Sequence, residues 1–128
     1  MHFRDGRLSL SPSDVTAYLA CEHLTALSLR AARGEIEKPT VEDEQRDLVF
    51  TKGLEHERAY LESLRAQGRT VAVIDTDDRD FDAAAARTRE AIASGADVVY
   101  QGVLVGGDGW RGQADFLLRR DDGVYEAL

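Results

Sequence analysis

DVVYQGVLVGGDGWRGQADFLLRRDDGVYEAL, residues 97–128, decides the fold. Asp97–Val105 reads as one strand. GGDG, residues 106–109, reads as a hairpin turn, because glycine supplies the positive φ that tight reversals need. Trp110–Arg119 then pairs back on the first strand, with Phe116, Leu117 and Leu118 at its end. A second turn, RDDG at 120–123, leads into Val124–Leu128. The expectation is an antiparallel run over 97–128. Its sequence ends a few residues into an apparent strand, and a core strand is rarely abandoned there. A domain that is incomplete at its C-terminus is therefore expected.

Upstream, RTVAVID (69–75) is a strand rich in β-branched residues. It is separated from 97–105 by the charged turn DTDDRD (75–80) and by DAAAARTREAIAS (82–94), an alanine-rich helix with Asp82 as its expected N-cap and Gly95 as its stop. A longer helix is expected from about Asp43 to Gln67. Leu48, Val49, Leu54, Tyr60, Leu61 and Leu64 form its apolar stripe, and Gly68 ends it. Residues 11–34 read as one helix or as two joined end to end, opened by Ser11 and Pro12. The polar stretch EIEKPTVE (35–42) is a surface connection. The order helix, helix, strand, helix, three strands gives an α/β domain with a mixed sheet flanked by helices. It is helical over 11–67 and sheet-rich over 69–128.

Composition narrows the function. A chain of 128 residues with 43% apolar content fits one domain that buries roughly two thirds of its unfolded surface. Sixteen basic and 24 acidic residues give a net charge of −8. That excludes a basic nucleic-acid coat protein, but not an enzyme that grips nucleic acid through a local basic track and a metal ion. No stretch approaches a membrane span of ~20 apolar residues, and the N-terminus lacks the apolar run of a signal peptide. One cysteine forms no internal disulfide, so the expected compartment is the cytoplasm. Only Lys38 and Lys52 are lysines.

Three side chains stand out for chemistry. His56 lies in KGLEHERAYLESL, Asp115 in WRGQADFLLRR and Glu126 in GVYEAL. An aspartate on one strand and an acid about ten residues later on its hairpin partner can put two carboxylates side by side. Such a pair suits a hard divalent cation, and a histidine from a packed helix can join it. Plainer readings stand beside these. His56, between Glu55 and Glu57, can be a solvated helix residue. Asp115 can be an edge-strand charge, and Glu126 a cross-strand partner of Arg119 or Arg120. Tyr18, Trp110 and Tyr125 are read as packing residues rather than as base-stacking platforms.

The segments LSLSPSDVTAYLACEHLTALSLRAARGE, FTKGLEHERAYLESLRAQGRTVAVI, ARTREAIASGADVVYQGVLVGGDGWRGQADFLLRR and VYEAL, in this order, resemble the start of the bacterial RecB-like nucleases. These belong to the PD-(D/E)xK superfamily, with the RecB and AddAB nuclease domains and the CRISPR-associated iron–sulfur exonucleases. The resemblance implies a restriction-endonuclease-like sheet, Mg²⁺- or Mn²⁺-dependent cleavage of DNA in repair or recombination, and a fused or associated helicase or ribonuclease-H-like domain. The family's G-x-x-H-E falls on Gly53–Glu57, which makes His56 a metal ligand, and its G-x-x-D falls on Gly112–Asp115, which makes Asp115 the central one. The third motif, (D/E)-x-K, is not matched: with Glu126 as its acid, Leu128 stands where the lysine belongs. Strand alternation makes Glu126 a neighbour of the site rather than its centre. The fragment is expected to be inactive alone. Cys21, after SPSDVTAYLA, matches the first cysteine of the iron–sulfur relatives, so the resemblance implies a 4Fe–4S cluster completed by other thiols; the plainer reading is a lone buried cysteine. Arg58, Arg65 and Arg111 are expected DNA contacts, and Gln101 an orienter of phosphate or water. Two further classes remain: a catalytically dead nuclease-like module that binds DNA or docks a protein, and a small acidic structural protein.

Overall fold

The computed structural model describes residues 1–4, 6–39, 44–76 and 80–128. The chain forms two compact units, one from residues 1–41 with 105–112 and the other from 42–104 with 113–128.

In the first unit β1 (His2–Arg4) pairs antiparallel with β2 (Arg7–Ser9), Phe3 opposite Leu8. The sequence pattern of this short, polar stretch gave no strand expectation. Leu10 bridges Trp110: its N–H donates to the Gly109 carbonyl at 3.0 Å, and Arg111 N–H donates back to Leu10 at 2.8 Å. Gly109 is needed here twice over. Its φ is +88°, and a Cβ would stand 2.8 Å from the Leu8 carbonyl oxygen. Helix α1 (Pro12–Ala20) opens at Ser11, whose N–H and hydroxyl both donate to the Asp14 carboxylate at 2.8 Å, the reciprocal arm of a capping box. Cys21 is extended, with φ −165° and ψ 114°, and so breaks α1 from α2 (Glu22–Ala32). Residues 11–34 are thus two helices. Neither α1 nor α2 buries a residue.

The second unit holds α3 (Glu44–Ala66), β3 (Val71–Val73), α4 (Phe81–Ala93), β6 (Tyr125–Ala127) and most of β4 (Val98–Val105) and β5 (Arg111–Arg119), whose residues 105 and 111–112 belong to the first unit. The expected start of α3 at Asp43 and part of the 75–80 turn lie outside the described residues. The sheet order is β3-β4-β5-β6. β3 and β4 are parallel, Val71 opposite Val98, as a helical crossover through α4 permits. β4 and β5 are joined by 106–110, closed by Gly106 N–H donating to the Trp110 carbonyl at 2.7 Å; that link is too short for a parallel crossover. β6 returns antiparallel, Leu118 opposite Glu126. The sheet is therefore mixed, and the antiparallel run extends only over its last three strands.

Pleating sorts the core into two layers. Val99, Val103 and Leu117 pack with Ile74, Ala84, Ala85 and Ala91 on the α4 side. Val98 and Phe116 pack with Leu61 and Leu64 of α3 on the other. Small alanines let α4 lie close on the sheet. The glycine that close packing demands is Gly102, where a Cβ would meet Leu117 Cδ1 at 2.7 Å; at Gly112 it would meet only Pro12 atoms at 3.9 Å. The α4 N-cap is Asp80 rather than Asp82: its carboxylate accepts from the Ala83 N–H at 3.0 Å, so Phe81 becomes the first helical residue. The N-terminal half of the α3 stripe is uncovered, with Leu48 61%, Val49 72% and Phe50 67% exposed. Among the described residues no helix is long and apolar enough to cross a membrane.

Candidate functional site

The site grows from the way α3 sits on β4 and β5. Leu61 and Leu64 face the sheet, and Tyr60 meets Phe116 edge-on with ring centroids 4.9 Å apart. Tyr100 also lies against Phe116, with ring centroids 5.3 Å apart. This stack fixes the rotation of the helix. The helical repeat then carries the sheet-facing stripe back from Leu64 and Leu61 to Glu57, at i−7 and i−4. His56 is one residue, about 100°, off that stripe, and it is exposed.

Glu57 meets a residue of unusual backbone. Gln101 has φ +58°, the one non-glycine positive φ among the described residues. A side chain there costs on the order of 1–3 kcal/mol and persists only where its surroundings fix it. Regular alternation would send Gln101 to the α4 side with Val99 and Val103. Instead its Nε2 donates to Glu57 Oε1, and to Asp115 Oδ1 at 3.4 Å. Gln113 Nε2 donates to Gln101 Oε1 at 2.7 Å and sets the amide's orientation. Burial first, and then the neighbouring Glu57 carboxylate, push the Tyr100 phenol above its usual range. The displaced strand has a second consequence. Val103 N–H finds its acceptor in Thr88 Oγ1 of α4 at 2.9 Å, and that hydroxyl donates to the Ala84 carbonyl at 2.9 Å. Thr88 is fully buried.

Helix α3, β4 and β5 therefore bring together two carboxylates, Glu57 and Asp115, two amides, Gln101 and Gln113, and one phenol, Tyr100. Both carboxylates lie within hydrogen-bond reach of a single nitrogen, so their oxygens are no more than about 7 Å apart. The network contains Glu57 and not its neighbour His56. Among the described residues no group of three or more histidine, cysteine, aspartate and glutamate side chains is assembled to hold a metal ion.

The remaining singled-out residues are dispersed. Glu126 is exposed on β6, opposite Leu118 and 3.9 Å from the Arg120 guanidinium, which is the cross-strand arrangement. Arg58 is exposed beside the site, where its charge acts on Tyr100. Arg65 pairs with Glu62 one helical turn away at 2.7 Å. Arg111 belongs to the first unit. Cys21 is exposed rather than buried, because it occupies the joint between α1 and α2 and not a helix face. Tyr125 is a packing residue, its hydroxyl donating to the Ala96 carbonyl; Trp110 is 37% and Tyr18 49% exposed.

Sequence reading alone did not single out Glu57, Tyr100 or Gln113. The signal for Glu57 is its spacing from Leu61 and Leu64. The signal for Gln113 is its place two residues before Asp115 on one strand face. No protein-family model, curated protein or solved structure matches this chain.

Proposed function

We propose that this chain belongs to a RecB-like nuclease domain of the PD-(D/E)xK superfamily, a cytoplasmic, restriction-endonuclease-like α/β domain that hydrolyses DNA phosphodiesters with Mg²⁺ or Mn²⁺. One observation supports the reading most. Asp115, from the G-x-x-D segment on β5, and Glu57, from the G-x-x-H-E segment on α3, share one hydrogen-bond donor. These two segments are the ones the resemblance designates, and they lie 58 residues apart in the sequence (57 to 115).

Asp115 and Glu57 supply oxygens of the kind a hard divalent cation prefers, and magnesium commonly keeps water and substrate phosphate in its remaining positions. When bound, the cation offsets charge on the phosphate and lowers the pKa of a bound water. The chain's own groups would do the rest: Asp115 and Glu57 would hold it, the Gln101 and Gln113 amides would offer donors beside it, and Arg58 would offer a phosphate contact.

A second reading, a binding module without catalysis, draws on Leu128 at the lysine position of the third motif and on the pairing of Lys52 with Glu55 at 2.7 Å. One experiment separates the readings. Mn²⁺ binding, followed by electron paramagnetic resonance, is measured for the wild type and Asp115→Ala, and cleavage of linear DNA for the same two chains with a (D/E)-x-K strand appended to each. The nuclease reading expects metal-dependent cleavage that Asp115→Ala abolishes. Metal binding without cleavage selects the module. Coincident metal-binding curves for the two proteins refute Asp115 as a ligand, and with it the nuclease reading.

A further inference from the structure

Resting on the reading of Glu57, Asp115 and Gln101 as the site, we propose that Thr88, on the opposite face of the sheet, is its positioning residue: the Thr88 hydroxyl holds β4 in the course that presents Gln101 to the two carboxylates. The observations that carry this lie outside the site. Among the described residues Thr88 is the one buried polar side chain, at 0% exposure, and it sits on α4 with the buried Ala84, Ala85 and Ala91. Its hydroxyl accepts from Val103 N–H at 2.9 Å and donates to the Ala84 carbonyl at 2.9 Å. A strand N–H ordinarily points along the sheet to a neighbouring strand. That of Val103 turns instead to a helix packed on one face.

The course of β4 explains why. Val98 and Tyr100 belong to the α3 side and Val99 and Val103 to the α4 side, as alternation requires. Gln101 departs from it, so two successive residues, Tyr100 and Gln101, serve the α3 side. This is the pattern of a bulge, which re-aims a side chain and disrupts the ladder around it. β3 stops at Val73, opposite Tyr100, so Val103 lies three residues past its end. The hydroxyl of Thr88 supplies an acceptor at that point, where an unpaired buried N–H would be unfavourable. The bulged course is thereby stabilised from the α4 side. Withdrawing the hydroxyl shifts the balance toward the regular course, in which Gln101 turns to the α4 side and leaves Glu57 and Asp115.

The test is nuclear magnetic resonance on the wild-type chain, Thr88→Val and Thr88→Ser, without metal or DNA, so that its outcome is separate from that of the Mn²⁺ and cleavage measurements on Asp115. Two signals are read: the strong cross-peak between the amide and α protons of Gln101 that a positive φ gives, and the contact between the side-chain amides of Gln101 and Gln113. Circular dichroism confirms that each variant is folded. Thr88→Val is expected to lose both signals, and Thr88→Ser, which keeps the hydroxyl, to retain them. Thr88→Ala, a good helix former that demands no extra space, takes the place of Thr88→Val should the latter not fold. Both signals unchanged in a folded variant without the hydroxyl overturn the proposal, since the contacts of Gln101 would then suffice to hold it. Loss of both signals in Thr88→Ser also overturns it, and assigns the effect to the methyl group and its packing.

Discussion

Thr88→Val is the sharpest test of how β4 is held in its irregular course. The two side chains are nearly the same shape, so the change leaves no cavity. What it removes is the hydroxyl that accepts from Val103 N–H at 2.9 Å. Val103 is 1% exposed and Thr88 is fully buried, so water cannot substitute. A buried donor left without a partner costs about 1–3 kcal/mol. The Ala84 carbonyl, which also accepts from Thr88 Oγ1, loses little, because its helical position gives it a backbone donor as well. Replacing hydroxyl by methyl returns up to about 0.8 kcal/mol of apolar transfer. The net expectation is a loss of about 1–2 kcal/mol. Urea unfolding monitored by circular dichroism measures it, provided the m-value is unchanged. Amide exchange at Val103 should quicken by a larger factor than at Val99, which lies outside the hydroxyl's reach. A variant as stable as the wild type, with Val103 exchange unaltered, would show that this N–H has another acceptor and that the hydroxyl does not support the strand.

Two other perturbations test the packing and the electrostatics. Gly102→Ala puts a methyl 2.7 Å from Leu117 Cδ1 in a buried cluster, and overpacking of this kind costs about 1–3 kcal/mol, read from the same urea transition; an unchanged midpoint would mean that Leu117 has room to turn. At Asp97, hydrogen bonds from the backbone N–H of Thr70 first, and then its hydroxyl, hold the carboxyl below its ordinary value. Its stabilisation is therefore present above about pH 4 and is lost as pH falls through the lowered folded value. Asp97→Asn should make stability depend less steeply on pH below about pH 4; unfolding free energies measured from pH 2 to 7 with the same slope in both proteins would refute the assignment.

The elements that could be read from sequence are those whose signal is local. The alanine run of α4, the glycine turn at 106–109 and the stop at Gly68 each carry their own backbone instruction. The break in the first helical region was legible only as an alternative, because Cys21 has neither the ring of proline nor the freedom of glycine to announce it. The stripe of α3 was overcounted. Leu48, Val49 and Leu54 have helical spacing as good as that of Leu61 and Leu64, yet periodicity does not say where the sheet ends. The candidate site shows the same division. Asp115 and Gln101 were visible from their strands. Glu57 was hidden behind His56, since the choice between two adjacent helix residues depends on a rotation set by Tyr60, Phe116 and Tyr100, which are distant in sequence. A left-handed glutamine has no sequence signature at all.

The clasp between Thr70 and Asp97 has a consequence for how the chain finds its structure. Thr70 N–H and Oγ1 reach one carboxylate oxygen at 2.8 and 2.7 Å, and Asp97 N–H returns to Thr70 Oγ1 at 3.0 Å. These three bonds tie together the residues that immediately precede β3 and β4. Side chains along a strand swap faces at every step, so a slip of one residue would send Val98 toward α4 and Val99 toward α3. The clasp cannot form in a slipped pairing, because only one offset brings both partners level. It acts as a proofreading contact at the mouth of the crossover. Chains lacking it would sample misaligned sheets during refolding, whatever the final stability of the aligned one.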